Sequence, residues 1–201
     1  MGSGKSFAAN YLEEKHGASR WSRTELMKRL AHAVADHIGS PDELLERIFP
    51  DPLQRAEVRE DLLAYVCRYE PEPGKPRRLY QDITQICQNH DPLCFERELD
   101  SRIRAYGEGG FSLIDDVRSR AAFDYFTERG YHSLRIEASE ETRLARMLSR
   151  DGSLPPKETL EHPSETELDD VEHEFTIRNE TSDVADLYAA LDRVLKEIRG
   201  A

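Results

Sequence analysis

Long apolar runs are scarce in this chain. No stretch approaches the roughly 18 uncharged residues that a membrane-spanning helix needs, so such a helix is not expected. A basic excess is missing too. The 40 Asp and Glu outweigh the 28 Lys and Arg, leaving a net charge of -12. That balance argues against a nucleic acid or an anionic membrane as partner, because both demand a basic footprint. Cysteine is sparse: Cys67, Cys87 and Cys94 are odd in number, lack C-x-x-C spacing and have no histidine cluster beside them. They read as reduced thiols rather than a disulfide frame or a zinc site. No signal-peptide pattern opens the chain, so the expected location is the cytoplasm. No internal repeat is found.

What is present suits one α/β domain of 201 residues with a small inserted or mobile region. Helical spacing predicts helices from Lys5 to Lys15, Arg23 to Ile38, Pro41 onward, Leu53 to Tyr69, Arg77 to His90, and from Pro92 through Ile103. Ser19-Arg20-Trp21 is a short candidate strand or loop. The period then changes. Phe111 to Asp116 reads as a buried parallel strand ending in acid, followed by a helix from Arg120 to Arg129 and a strand from Tyr131 to Glu137, a βαβ unit. A helix from Glu140 to Arg150 follows. The acidic stretch from Asp151 to Glu174 reads as a mobile loop or lid, Phe175 to Asn179 as the last strand, and Val184 to Ile198 as the closing helix. Strands alternating with helices predict a sheet covered on both faces.

Five segments carry candidate chemistry. Met1-Gly2-Ser3-Gly4-Lys5-Ser6 matches the back half of G-x-x-x-x-G-K-[ST], the loop whose backbone amides cradle phosphates. In that pattern Gly2, Ser3 and Gly4 supply amides, Lys5 supplies a point charge, and the Ser6 hydroxyl reaches Mg2+. A Gly/Ser turn or an expression-tag remnant is the alternative. The first glycine of the pattern would fall two residues ahead of Met1, and the strand that feeds such a loop is missing. The expectation is therefore that the natural protein is longer or that another segment fills the strand's place. Ile114-Asp115-Asp116-Val117-Arg118 puts acid at a strand end. There Asp116 is the preferred functional carboxylate for a metal-bound water, Arg118 can grip a phosphate, and either acid could instead cap the next helix.

Arginines form the third set: Arg77 and Arg78 with Gln81, Arg97 and Arg102, and Arg143, Arg146 and Arg150 at helical spacing. They make an anion site or an ion-paired surface; for Arg97 the surface reading is favoured. His162-Pro163-Ser164-Glu165 lacks the partners of a zinc site. Asn179-Glu180-Thr181 follows the last strand, where a base could rest or a turn could form.

In this order, those segments resemble the P-loop nucleoside-monophosphate-kinase-like superfamily. The chain looks most like the deoxynucleoside monophosphate kinases, with dephospho-CoA kinase and phosphomevalonate kinase as relatives. Arg78-Leu79-Tyr80-Gln81-Asp82 and Ile177-Arg178-Asn179-Glu180-Thr181-Ser182 complete the match, of which the phosphate loop is the specific part. The resemblance implies a three-layer α/β/α fold with a parallel sheet in a single domain over 1–201, a helical acceptor-binding region near 22–105 and a lid near 143–174. It implies ATP and Mg2+ as cofactors, held by Gly2 to Ser6, with Asn179 and Thr181 beside the adenine and Ser6 and Asp116 at the metal. Lys5, Asp116, Arg118, Arg143 and Arg146 would serve transfer, and Arg78, Gln81 and Arg118 the acceptor. The implied reaction moves the γ-phosphate of ATP to a (deoxy)nucleoside monophosphate. Alternatives are dephospho-CoA or another small phosphorylated metabolite as acceptor, or a nucleotide-binding module without turnover. A monomer or homodimer is expected.

Overall fold

Glycine and proline mark several helix boundaries, among them Gly4, Gly17, Pro52 and Gly152. The computed structural model describes residues 2–35, 41–70, 76–106, 111–154, 167–181 and 183–200. His162 to Glu165, Ser182 and residues 155–166 of the predicted lid lie outside the described residues. The chain divides into two compact units, Met1–Arg20 with Gly109–Ala201, and Trp21–Glu108. Among the described residues no helix is long and apolar enough to cross a membrane.

The second unit is helical. Numbered along the chain after α1 (Lys5–His16), it holds α2 (Arg23–Ala35), α3 (Pro41–Ile48), α4 (Pro52–Val66), α5 (Arg77–His90) and α6 (Cys94–Tyr106). Asp51 caps α4, its carboxylate accepting from the Gln54 amide at 2.8 Å with Pro52 at the first helical position. That pairing separates α3 from α4 and starts α4 before Leu53, the first residue that periodicity assigns to it. Leu30, Phe49, Ile83, Cys87 and Phe95 are fully buried in one shared core. Burying a leucine- or phenylalanine-sized side chain contributes about 1.5–3 kcal/mol, which is how marginally helical segments become firm helices here. Glu96, on α6, is 1% exposed and pairs with Arg23 of α2 at 3.0 Å.

The first unit mixes helix and strand. It contains α1, β1 (Ser19–Trp21, whose last residue belongs to the helical unit), β2 (Ser112–Ile114), α7 (Arg120–Thr127), β3 (Leu134–Glu137), α8 (Glu140–Asp151), β4 (Phe175–Arg178) and α9 (Val184–Gly200). β3 and β4 are parallel, with Leu134 opposite Phe175 and Glu137 opposite Arg178. The ladder continues past β4, where the Asn179 amide donates to the Glu137 carbonyl at 2.8 Å. α1 packs on α9 through a Tyr11–Tyr188 stack with centroids 4.0 Å apart, and Tyr11 and His16 both bond Asp192 at 2.8 Å. Ala8, Leu12, Ile177, Leu187 and Leu191 form the core beneath them.

Three expectations are corrected here. The predicted strands are longer than those formed: only residues 112–114 of the 111–116 run and 134–137 of the 131–137 run are strand. β2 and β3 do not complete one βαβ sheet, because the described strands form two separate pairs, β1 with β2 and β3 with β4. Neither Asp115 nor Asp116 caps α7. Ser119 does so, its Oγ accepting from the Ala122 amide at 3.2 Å.

Candidate anion-binding site

The short connection into α1 has a conformation that only glycine adopts without strain. Gly2 and Gly4 have φ of +77° and +104°, the left-handed side of the backbone map. A Cβ on Gly2 would lie 2.7 Å from the Arg143 carbonyl oxygen, and one on Gly4 would collide with the Asn179 side-chain nitrogen. Both glycines are thus required by close approach as well as by φ. Gly4 sits at the N-cap of α1 without a side-chain cap, and the first turn carries no acidic residue. The first amides of a helix have no intrahelical partner and carry the positive end of its dipole. Such a terminus, opened by left-handed glycines, is shaped for an anion.

Two side chains from distant parts of the sequence hold this loop. Asn179, 8% exposed at the end of β4, donates from Nδ2 to the Ser3 carbonyl at 2.8 Å. Arg146 of α8 donates to the Thr181 carbonyl at 2.6 Å, to Asn179 Oδ1 at 3.4 Å and to the Gly2 carbonyl at 3.5 Å. Sequence reasoning assigns Asn179 and Thr181 to an adenine and Arg146 to transfer. In the fold, Asn179 and Arg146 tie the Gly2–Ser3 backbone to the segment that follows β4.

Beside the loop lies a cavity of about 610 Å3. Lys5, Arg118, Arg135, Arg143 and Arg178 line it with three acids, Glu137, Asp169 and Glu180. Each acid is engaged by the protein. Arg178 holds Glu137 at 3.1 Å, and Arg135 holds Asp169 at 2.9 Å while also donating to the Leu168 carbonyl at 2.8 Å. Glu180 accepts from the Ser139 amide at 2.7 Å and from the Ser139 and Thr142 hydroxyls at 2.8 and 2.9 Å. Those bonds hold its carboxyl below the usual glutamate range. Two buried polar atoms on lining residues, Arg143 Nε and His173 Nδ1, have no hydrogen-bond partner among the described residues. Burial, aided by the nearby Arg135 charge, pushes His173 toward its neutral form. In a chain of net charge -12, this cavity carries two more cationic than acidic side chains.

The fold therefore brings Gly2, Ser3, Gly4, Lys5, Arg118, Arg143, Arg146, Asn179 and Thr181 together in or around one cavity. Ser6 is exposed in the first turn of α1, and Asp116 is half-buried immediately before the lining residues Val117 and Arg118. Asp115 is forked by Arg20, whose Nε lies 3.0 Å away and whose Nη2 also bonds it. Arg78 and Gln81 lie on α5 of the helical unit, where Arg78 pairs with Asp82 at 3.5 Å. Arg135, Arg178, Ser139 and His173 are cavity residues that sequence reasoning missed. Leu-Arg-Ile-Glu and Phe-Thr-Ile-Arg place Arg135 and Arg178 at polar positions of alternating strands, a signal readable only once strand register is known.

Among the described residues no group of three or more His, Cys, Asp or Glu is arranged to hold a metal by itself. A Mg2+ ion carried by a nucleotide needs only one or two protein oxygens besides phosphate and water. The Ser6 hydroxyl and the Asp116 carboxylate are of the right chemistry for that. Compared with known protein families and with curated proteins, the chain matches none.

Proposed function

We propose that the protein is an ATP-dependent phosphotransferase acting on a (deoxy)nucleoside monophosphate. The observation that carries the reading is the uncapped N-terminus of α1, opened by two left-handed glycines, beside a cavity whose acids are all engaged. A polyphosphate is the ligand that uses both. Its oxygens take the loop amides and Lys5, while Arg118 and Arg143 line the space next to it. The three-layer α/β/α arrangement belongs to the same proposal, supported by the parallel β3–β4 pair and by α1 and α9 packed beside it.

Phosphoryl transfer asks the protein mainly for positioning and for charge placed where the equatorial oxygens gain it. Lys5 and the first amides of α1 hold the donor phosphates. Arg143, whose backbone lies against Gly2, lines the same cavity. Ser6 and Asp116 would hold Mg2+, which would supply charge neutralisation to the phosphates. Arg78 and Gln81 are the acceptor-side residues of the proposal.

The test is a panel of nucleoside monophosphates, dephospho-CoA and phosphomevalonate with ATP, read by ADP release and by calorimetry. A nucleoside monophosphate is expected to give turnover. Lys5→Ala should reduce it by about 100-fold or more, with stability changed by no more than about 0.5 kcal/mol because Lys5 is exposed. ADP release only with dephospho-CoA or phosphomevalonate would reassign the acceptor. ATP binding without ADP release across the panel would leave a nucleotide-binding module. Undiminished activity in Lys5→Ala would remove the phosphate-loop assignment.

A further inference from the structure

In the helical unit, α4 leaves a long face exposed. Leu53 and Leu63 are 78% and 47% exposed, and Ala56, Ala64 and Cys67 are exposed beside them. A groove of about 640 Å3 runs along this side, lined by α4 from Pro52 to its C-cap Cys67 and by Glu46 of α3. We propose that the face docks a second copy of the chain, whose own α4 packs against it antiparallel about a two-fold axis between Arg59 and Glu60. The proposal goes beyond the phosphotransferase reading and does not depend on it.

The sequence of α4 gives it two opposite sides. Val58 and Leu62 are buried in the core of the helical unit, with the half-buried Tyr65 and Val66 packed against it. Leu53, Ala56, Leu63 and Cys67 recur at helical spacing on the side turned away from that core. Single exposed apolar side chains are ordinary, whereas a stripe running about four turns along one helix marks an interaction surface.

What selects a second copy is self-complementarity, the condition for a two-fold contact. Reversing α4 about the 59–60 bond sets Ala56 against Leu63, Arg59 against Glu60 and Pro52 against Cys67, each pair occurring twice. The α4 residues that line the groove map onto one another under this reversal. A small side chain then meets a large one, as interdigitating helices need, and the Arg59 cation meets an acid. A parallel pairing would instead set Arg59 beside Arg59 and Glu60 beside Glu60, which repel. Two chains of net charge -12 also repel as wholes, so they meet best where charge is locally balanced. In the groove Arg55 and Arg59 offset Glu46 and Glu60. Arg55 is engaged at the rim by the Phe49 carbonyl at 3.3 Å and by Glu46 at 3.6 Å. Arg59 already interacts within its own chain. A guanidinium has five N–H donors, so it keeps that interaction while taking a carboxylate from across the axis.

The test is sedimentation equilibrium of the full chain under reducing conditions. One helix face is a small interface, so a reversible dimer with Kd on the order of 10–100 μM is expected. Leu63→Asp should weaken it by about tenfold or more. The fold and its Tm at low concentration should stay unchanged, because Leu63 is exposed. Arg59→Glu and Glu60→Arg should each weaken the dimer by about fivefold, and the two together should restore it to within about twofold, since the swap keeps every pair across the axis. Disulfides read the orientation. Antiparallel packing holds the two Cys67 about 22 Å apart, too far to bridge, and brings each beside position 53 of the other copy. Mild oxidation should therefore cross-link Leu53→Cys between positions 53 and 67 and leave the parent chain uncross-linked. A double swap no better than the single ones, undiminished association of Leu63→Asp, or a Cys67–Cys67 dimer of the parent chain would overturn the proposal. So would a monomer at every concentration, which would leave the face to a different protein. None of these readouts uses nucleotide, so failure here and failure of the kinase reading are separable.

Discussion

Replacing Gly4 with alanine should cost more than the same change at Gly17, and the difference isolates one buried contact. Both glycines have positive φ, +104° and +66°. At Gly17 a Cβ meets nothing within 4 Å, so Gly17→Ala bears only the cost of a left-handed L-residue, about 1–2 kcal/mol. At Gly4 the added carbon would occupy the place of Asn179 Nδ2. The Asn179 amide must then swing away, and its 2.8 Å bond to the Ser3 carbonyl is lost in a site where Asn179 is almost wholly buried. An orphaned buried polar group costs a further ~1–3 kcal/mol. Gly4→Ala should therefore lose about 2–5 kcal/mol, a large share of the 5–15 kcal/mol typical of a domain. Urea unfolding followed by circular dichroism measures both variants. The double variant with Asn179→Ala supplies the cycle, because Gly4→Ala should cost much less once the amide it displaces is gone. Equal losses for Gly4→Ala and Gly17→Ala would refute the idea that Asn179 holds the loop through Ser3.

The ion pair in the helical unit gives a second test. Arg23→Ala strands the Glu96 carboxylate, 1% exposed, and should cost about 3–5 kcal/mol by denaturant titration, whereas Arg23→Leu with Glu96→Met should recover most of that loss. Acid should weaken the first unit in two steps. His173 titrates below its ordinary 6.5, so its contribution is present above that pH and lost on acidification; urea midpoints at pH 7.5 and 5.5 should converge in His173→Gln. Glu180, held low by Ser139 and Thr142, contributes above about pH 4.5 and ceases to as pH falls through its folded value, so Glu180→Gln should flatten the acid limb below that pH. Thiol titration should find one fast cysteine, the exposed Cys67, and two that react only in denaturant. Burial pushes Cys87 up to about 12 and Cys94 higher still, which leaves little thiolate to react.

Much of this fold is local enough to be read from the chain. The helices follow 3.6-residue periodicity closed by glycine or proline, and the Gly2 to Lys5 turn is legible because positive φ so strongly selects glycine. Strand extent is not legible to the same degree. Tyr131, His132 and Ser133 have the pattern of a strand, but a strand exists only where another pairs with it, and β4 reaches β3 only at Leu134. Ser119, the cap of α7, does not stand out in the sequence because Asp115 and Asp116 compete for the role on composition alone. Asn179 could be seen as a turn residue, but its bond to Ser3 spans 176 positions and leaves no local trace. Arg146 sits in a helical series of arginines that gives no hint its acceptors are backbone carbonyls. Residues that act through long-range partners become visible only when topology is known.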